Sequence, residues 1–154
     1  MRTAVSLFLA CFLILSCSKK DEPPPQQAAA AAPEPDRIEV QHILIAFQGS
    51  IPGKNITRTS SEAEELAQEV LAKAKGGEDF EALVKQYTDD AFPGRYKMTN
   101  YNIPPDASKE EYERRQMVPA FGDVGFNLKV GGVDLAKHDQ AASPYGWHVI
   151  KRVQ

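Results

Sequence analysis

The sequence predicts an α+β domain: a small antiparallel four-stranded sheet flanked by short helices, spanning residues 37–154. Three observations carry this. Two apolar, β-branched runs, Val40 to Ile45 and Trp147 to Val153, stand at the two ends of that region and read as strands. Between them lie two stretches whose apolar residues recur at helical spacing. Two weaker strand candidates, Tyr96 to Tyr101 and Val133 to Ala136, complete a β, α, α, loop, α, β, β order. Short helices beside an antiparallel-looking sheet define the class.

The first strand runs through Val40-Gln41-His42-Ile43-Leu44-Ile45 and gives way to a loop, Gln48 to Asn55, rich in glycine and proline. Lys54 and Arg58 are its basic residues and read as solvated. The first helix is expected to begin near Ser61, with Ser61-Glu62-Ala63-Glu64 as a capping box. Ala63, Leu66, Ala67, Val70, Leu71 and Ala74 form its apolar stripe, and Gly76-Gly77 ends it. Asp79 starts a second helix, where a carboxylate favours the helix dipole; Phe80, Leu83, Val84 and Tyr87 form its stripe. Both stripes read as core. Ala91-Phe92-Pro93-Gly94 must turn. Pro104 to Arg115 is polar, with a helical turn or two expected from Ser108. Pro119 sits at a permitted first position of a further short helix, which Gly122 and Gly125 weaken. The segment Ala141 to Gly146 turns into the last strand.

The preceding residues have a different character. Met1-Arg2 and the apolar run Ala4 to Leu15 read as a signal peptide, residues 1–16, too short to span a bilayer. It ends Leu15-Ser16-Cys17, which resembles a bacterial lipobox with Cys17 as the lipidated residue. Residues 17–36 then read as a lipidated cysteine and a disordered Pro/Ala-rich linker. Pro23-Pro24-Pro25, Ala28 to Ala32 and Pro33-Glu34-Pro35 contain no large apolar residue to offset the entropy of ordering. If extended like polyproline, this tether reaches about 60 Å at ~3.1 Å per residue. A lipoprotein of the cell envelope is expected, held at the membrane through Cys17. Ser18 after that cysteine resembles the outer-membrane sorting pattern of diderm lipoproteins, facing the periplasm.

Composition narrows the chemistry. The chain has a net charge of -3 and two cysteines. Cys11 falls in the leader and Cys17 is the anchor, so the domain has no thiol for a disulfide or a metal site. No Lys/Arg run offers a nucleic-acid footprint. No metal or cofactor motif is present, and His42, Asp90 and His148 have no local ligand spacing. The remaining chemistry-bearing feature is a pair of histidines, His42 and His148, each on a strand and each followed by aliphatics, which suggests one shared site. His138 lies in a turn and reads as solvent-facing.

Five pieces, in order, carry a family likeness: Gln41-His42-Ile43-Leu44-Ile45; Gly77 to Val84; Tyr87-Thr88-Asp89-Asp90; Met117-Val118-Pro119-Ala120-Phe121 with Phe126-Asn127-Leu128; and Tyr145 to Lys151. Together they resemble the parvulin (PpiC-like) peptidyl-prolyl cis-trans isomerases over most of residues 37–154. The resemblance implies a rotamase acting on X-Pro segments of unfolded or folding exported proteins, without cofactor. It implies that His42 and His148 lie side by side beneath the substrate proline, with Asp90 where the family has cysteine or aspartate. By the same likeness Met117 and Phe121 hold the proline ring, Phe126 belongs to the same wall, and Met98 stands for a pocket leucine. Ser143 stands for a hydroxyl that bonds a histidine. Departures are the absent Gly-Gly-Asp-Leu-Gly stretch, replaced by Gly94 to Thr99, and an insertion at Pro104 to Glu113. The basic cluster of phospho-specific relatives is not reproduced by Lys54 and Arg58.

Rotation about a prolyl bond needs no covalent nucleophile: its barrier, roughly 18–20 kcal/mol, is lost amide resonance. A thousandfold acceleration needs about 4 kcal/mol. Two readings stay open at this point: a membrane-tethered isomerase, and a non-catalytic chaperone or peptide-binding module that keeps the fold. The former requires the His42 and His148 side chains within about 5 Å on neighbouring antiparallel strands.

Overall fold

The computed structural model describes residues 33–154. The leader, Cys17 and most of the linker lie outside the described residues. The elements are β1 (Arg37–Ile45), α1 (Ser60–Lys75), α2 (Phe80–Tyr87), β2 (Arg95–Thr99), β3 (Glu111–Glu113), α3 (Pro119–Asn127), β4 (Val133–Ala136) and β5 (Trp147–Arg152), with single 3-10 turns at Ala107–Lys109 and Arg114–Gln116. The strands form one sheet in the order β3-β2-β1-β5-β4.

The α+β class holds, with two differences. The sheet has five strands rather than four, and it is mixed: β3 runs parallel to β2, while every other neighbouring pair is antiparallel. Glu111-Tyr112-Glu113 carries no strand signal, being three residues with two carboxylates. Tertiary bonds hold it instead: Arg37 Nε donates to Glu111 Oε1 at 3.2 Å, and the Asp106 amide donates to Glu111 Oε2 at 2.8 Å. The polar stretch that reads as one or two helical turns is thus a 3-10 turn, this strand and a second 3-10 turn.

β1 is the central strand. Its first half alternates, Ile38 and Val40 facing inward beside Arg37 and Glu39, while every residue from Val40 to Ile45 is buried, with Ile43-Leu44-Ile45 apolar in succession because both faces are covered there. Ile43 and Ile45 join Val149 and Trp147 of β5 against α1 and α2. Ile38 and Val40, with Met98 and Ile150, lie under Phe121 and Phe126 of α3. His42 belongs to this second face by the period-two alternation of a strand. Gly125 fits there because an added Cβ would meet Ile38, Met98 and Val40 at 3.3–3.4 Å.

The capping box of α1 is Thr59 and Glu62, two residues earlier than Ser61 and Glu64. The Glu62 amide donates to Thr59 Oγ1 at 3.2 Å and the Thr59 amide to Glu62 Oε2 at 2.7 Å. The approach is set by Arg58, whose carbonyl accepts from the Gln48 amide at 2.9 Å and whose guanidinium donates to the Ala46 carbonyl at 2.9 Å. Thr59 is therefore the residue still extended where the helix begins. Asp79 caps α2 as its position predicts, accepting from the Ala82 amide at 2.7 Å.

The packed unit begins earlier than composition suggests. Glu34 accepts from Arg114 Nη1 at 2.7 Å, and Asn100 donates to Glu34 and to the Pro35 carbonyl at 3.2 and 3.1 Å. Arg114 itself is buried between the rings of Tyr101 and Phe126, each 4.7 Å from its guanidinium carbon, and its Nη2 reaches Asp123 at 2.7 Å.

Candidate functional site

The antiparallel register of β1 and β5 places Leu44 opposite His148 and Ile150 opposite His42. The two histidines are therefore diagonal neighbours on one face, the face that α3 covers. Their rings lie nearly parallel, 18° apart, and the two Nδ1 atoms are 3.2 Å apart. A hydrogen bond between two like nitrogens requires exactly one proton between them, so at least one ring is neutral on that side. Both side chains are buried: His42 and His148 are 2% and 4% exposed.

Asp90 approaches from the segment after α2. Its Oδ2 lies 3.2 Å from His42 Nε2, too poorly aligned for a good hydrogen bond but close enough for a strong charge–dipole contact. Tyr96 Oη donates to the same oxygen at 3.4 Å. The contact with His42 is the main reason that the Asp90 carboxyl is held down at about 2, against the opposing effect of its partial burial. Asp90 is thus an ionised, acceptor-only group at neutral pH. Burial, followed by the nearby Asp90 charge, raises the Tyr96 phenol and keeps it a donor. Burial and the neighbouring His42 drive His148 down to about 3, so it stays neutral. His148 Nε2 has no hydrogen-bond partner among the described residues.

The segment bearing Asp90 is pinned through Thr88 and Asp89. The Asp89 amide donates to the Leu44 carbonyl at 2.8 Å, and the Asp89 carboxylate accepts from the Ala46 amide at 2.8 Å and pairs with Arg58. The Leu44 amide donates to Thr88 Oγ1 at 3.2 Å. Lys54 Nζ donates to the Asp89 carbonyl. Lys54 and Arg58, which read as solvated loop residues, anchor the turn that aims Asp90. Beyond it Gly94 crosses His42 closely: the His42 amide donates to the Gly94 carbonyl at 2.9 Å, and a Cβ on Gly94, whose φ is +64°, would sit 2.7 Å from the His42 carbonyl oxygen. Only glycine meets both demands cheaply.

α3 supplies the opposite wall. Phe121 meets both imidazoles edge-on, at 5.1 Å from His42 and 5.5 Å from His148, and Tyr96 at 5.8 Å. These rings enclose a cavity of about 290 Å³, which Met117, Val118, Leu44, Ile51, Lys54 and Tyr145 complete. It is mostly apolar, with one carboxylate, one ammonium and an imidazole pair at its surface, and its size suits a pyrrolidine ring with adjoining backbone better than a drug-sized ligand. Among the described residues no group of three or more His, Cys, Asp and Glu is disposed to hold a metal ion.

The structure brings His42, Asp90, His148, Met117 and Phe121 together. It does not bring Met98, Phe126 or Ser143 to the cavity. Met98 lies beneath α3, and Phe126 is on α3's core-facing side; they are 1% and 2% exposed. Ser143 Oγ donates to the Gly146 carbonyl at 2.7 Å and shapes the turn before β5 rather than bonding either site histidine. His138 is not solvent-facing: it is half-buried against Phe47 and Trp147, with Nδ1 2.8 Å from the Ser143 carbonyl. Tyr96, Tyr145 and Lys54, with the apolar Leu44, Ile51 and Val118, line the cavity without having been assigned to it from the sequence. Tyr96 shares the β2 alternation with Met98, and that pairing is the signal that could have found it.

Comparison with known proteins bears on the family and the fold. The family described as the PPIC-type PPIASE domain matches residues 27–154. A foldase protein PrsA from Geobacillus sp. (strain WCH70) is 35% identical over 88 residues, covering 57% of this chain and 27% of the relative. A chaperone SurA from Chromohalobacter salexigens is 33% identical over 113 residues, covering 73% of this chain and 21% of the relative. The chain thus spans about a quarter or less of the length of these relatives. Among solved structures, the solution structure of TbPIN1 superposes with a TM-score of 0.56 at 21% identity, covering 77% of this chain and 98% of that one. The peptidyl-prolyl isomerase ESS1 from Candida albicans superposes with a TM-score of 0.52 at 20% identity, covering 77% and 63%. At such identities the superpositions speak to the fold.

Proposed function

Because the chain belongs to the PPIC-type peptidyl-prolyl isomerase (parvulin) family, we propose that it catalyses cis-trans isomerisation of X-Pro bonds in unfolded or folding exported proteins, from the cell envelope, where a lipid on Cys17 tethers it. The observation that carries this reading is the convergence of Phe121, the His42–His148 pair and ionised Asp90 on one small apolar cavity.

The physical route follows from amide resonance. The planar amide places partial negative charge on its oxygen, and twisting removes it. A fixed carboxylate beside that oxygen disfavours the planar form more than the twisted one. Asp90 fills this role, poised by His42 and Tyr96. Phe121 and Met117 grip the ring and exclude water, which strengthens the effect of that charge. His148 stays neutral, and the hydrogen-bonded pair orients the floor; it moves no proton to substrate. A few kcal/mol from these sources suffices for a thousandfold acceleration.

Asp90→Ala is expected to lower kcat/KM on a short X-Pro peptide by about tenfold or more, with the fold intact by circular dichroism; an unchanged value would refute the role of Asp90. The alternative, a non-catalytic chaperone or peptide-binding module, is favoured by the altered Gly94 to Thr99 rim and by the insertion. It predicts suppression of client aggregation with no acceleration of cis-trans exchange on any X-Pro peptide.

A further inference from the structure

The insertion builds a second cleft. One wall is Phe92-Pro93 from the turn before β2, the other is Lys109 and Tyr112 from the inserted segment, and Arg95 and Tyr96 form its floor. The cleft has a volume of about 500 Å³. Tyr96 also lines the cavity over the histidines, so the two spaces share one side chain as a partition.

Three features point to what it holds. Phe92 and Tyr112 are 49% and 46% exposed, an unusual amount of aromatic surface on either side of one groove. The outer edge of β2 is open at this point. β3 pairs with β2 only from Lys97 onward, and the Gly94 carbonyl is bonded to β1, so strand alternation turns the Arg95 amide and carbonyl toward the cleft. The charges around it cancel: Arg95 pairs with Glu39 at 3.1 Å, Lys109 with Asp106 at 3.2 Å, and Lys97 and Glu110 are of opposite sign. A neutral groove with aromatic walls and an open strand edge suits an extended, apolar peptide rather than an anion.

We propose that this cleft is a second substrate subsite. It takes the segment flanking the proline as an extended strand on the open edge of β2, with an aromatic side chain between Phe92 and Tyr112. The inference rests on the prolyl-isomerase reading for what fills the first cavity. The spacing is consistent: ring-to-ring steps of 5.4 and 5.9 Å lead from His42 to Tyr96 and on to Tyr112, within reach of roughly three extended residues at ~3.3 Å each.

The test uses the full chain and X-Pro peptides that differ only in phenylalanine or alanine three residues from the proline, placed on either side in turn. Binding is read by fluorescence anisotropy and turnover by cis-trans exchange. On one side the phenylalanine peptide should bind roughly three- to tenfold tighter than its alanine counterpart. Tyr112→Ala and Phe92→Ala should each shrink that ratio toward one. N-methylation of the backbone amide beside the phenylalanine should also weaken binding. Equal affinities for all peptides, or a preference that survives in both variants, would overturn the subsite; indifference to N-methylation would overturn the edge pairing. If no peptide is isomerised, the catalytic reading fails while the binding ratios still decide the subsite.

Discussion

His148 makes the fold sensitive to mild acid, and the size of the effect can be worked out. In the unfolded chain a histidine takes up a proton near its ordinary value of about 6.5. In the fold, burial and the neighbouring His42 hold His148 neutral down to about 3. Between these values the unfolded chain binds a proton that the native chain does not, so stability rises with pH. The contribution is complete above about pH 6.5 and is lost progressively as pH falls toward about 3. Each unit is worth about 1.4 kcal/mol, so at about pH 4.5 the loss is roughly 2 to 3 kcal/mol, a large share of what a small domain has. Asp90 does not confuse this window, because its own stabilising contribution is lost only below about pH 4. The assay is urea unfolding at a series of pH values, comparing the wild type with His148→Leu. The variant loses the Nδ1 contact and is weaker near pH 7, but its pH slope should be shallower by most of that 2 to 3 kcal/mol. Identical slopes in the two proteins would refute the claim that His148 is buried and neutral.

Two further outcomes are expected. Arg114→Ala should destabilise by about 2 to 3 kcal/mol, since it removes a buried stem stacked on Tyr101 and Phe126 as well as the pairs with Glu34 and Asp123; a change within about 0.5 kcal/mol in urea unfolding would contradict that account. Cys17→Ser should abolish incorporation of labelled fatty acid and release the chain from the membrane fraction; retained labelling would place the anchor elsewhere.

Elements with strong local signals were legible in the sequence. The stripes of α1 and α2 and the apolar runs of β1 and β5 each state their period within a few residues, and the packing honours them. Elements held by tertiary bonds were not. β3 depends on Arg37, seventy-four positions away, and nothing in Glu111-Tyr112-Glu113 announces it. The ordered start at Glu34 depends on Arg114, eighty positions away. The site divides in the same way. Two histidines on two strands, with the family likeness around them, lead to the expectation of side-by-side imidazoles on neighbouring antiparallel strands with Asp90 and Phe121 beside them; the diagonal offset is visible only in the register. Met98 and Phe126 are assigned to the cavity by the family likeness, and nothing in their own chemistry could correct it, since an apolar residue near a pocket and one in the core look alike in sequence. Only the packing shows that Met98 lies beneath α3 and that Phe126 points from α3 into the core. Lys54 reads as a loop cation because its partner is a backbone carbonyl, which no side-chain pattern records.

The central claim is that this cavity turns a proline. The direct measurement is exchange spectroscopy on a short X-Pro peptide in excess, with and without a small amount of the full chain. Spontaneous interconversion takes tens to hundreds of seconds and gives no cis-trans cross-peaks on a sub-second mixing time. The account predicts that the wild type produces those cross-peaks and that Phe121→Ala, which opens the wall over both imidazoles, removes most of their intensity. Cross-peaks absent with the wild type, although the peptide binds, would contradict it and leave a peptide-binding module.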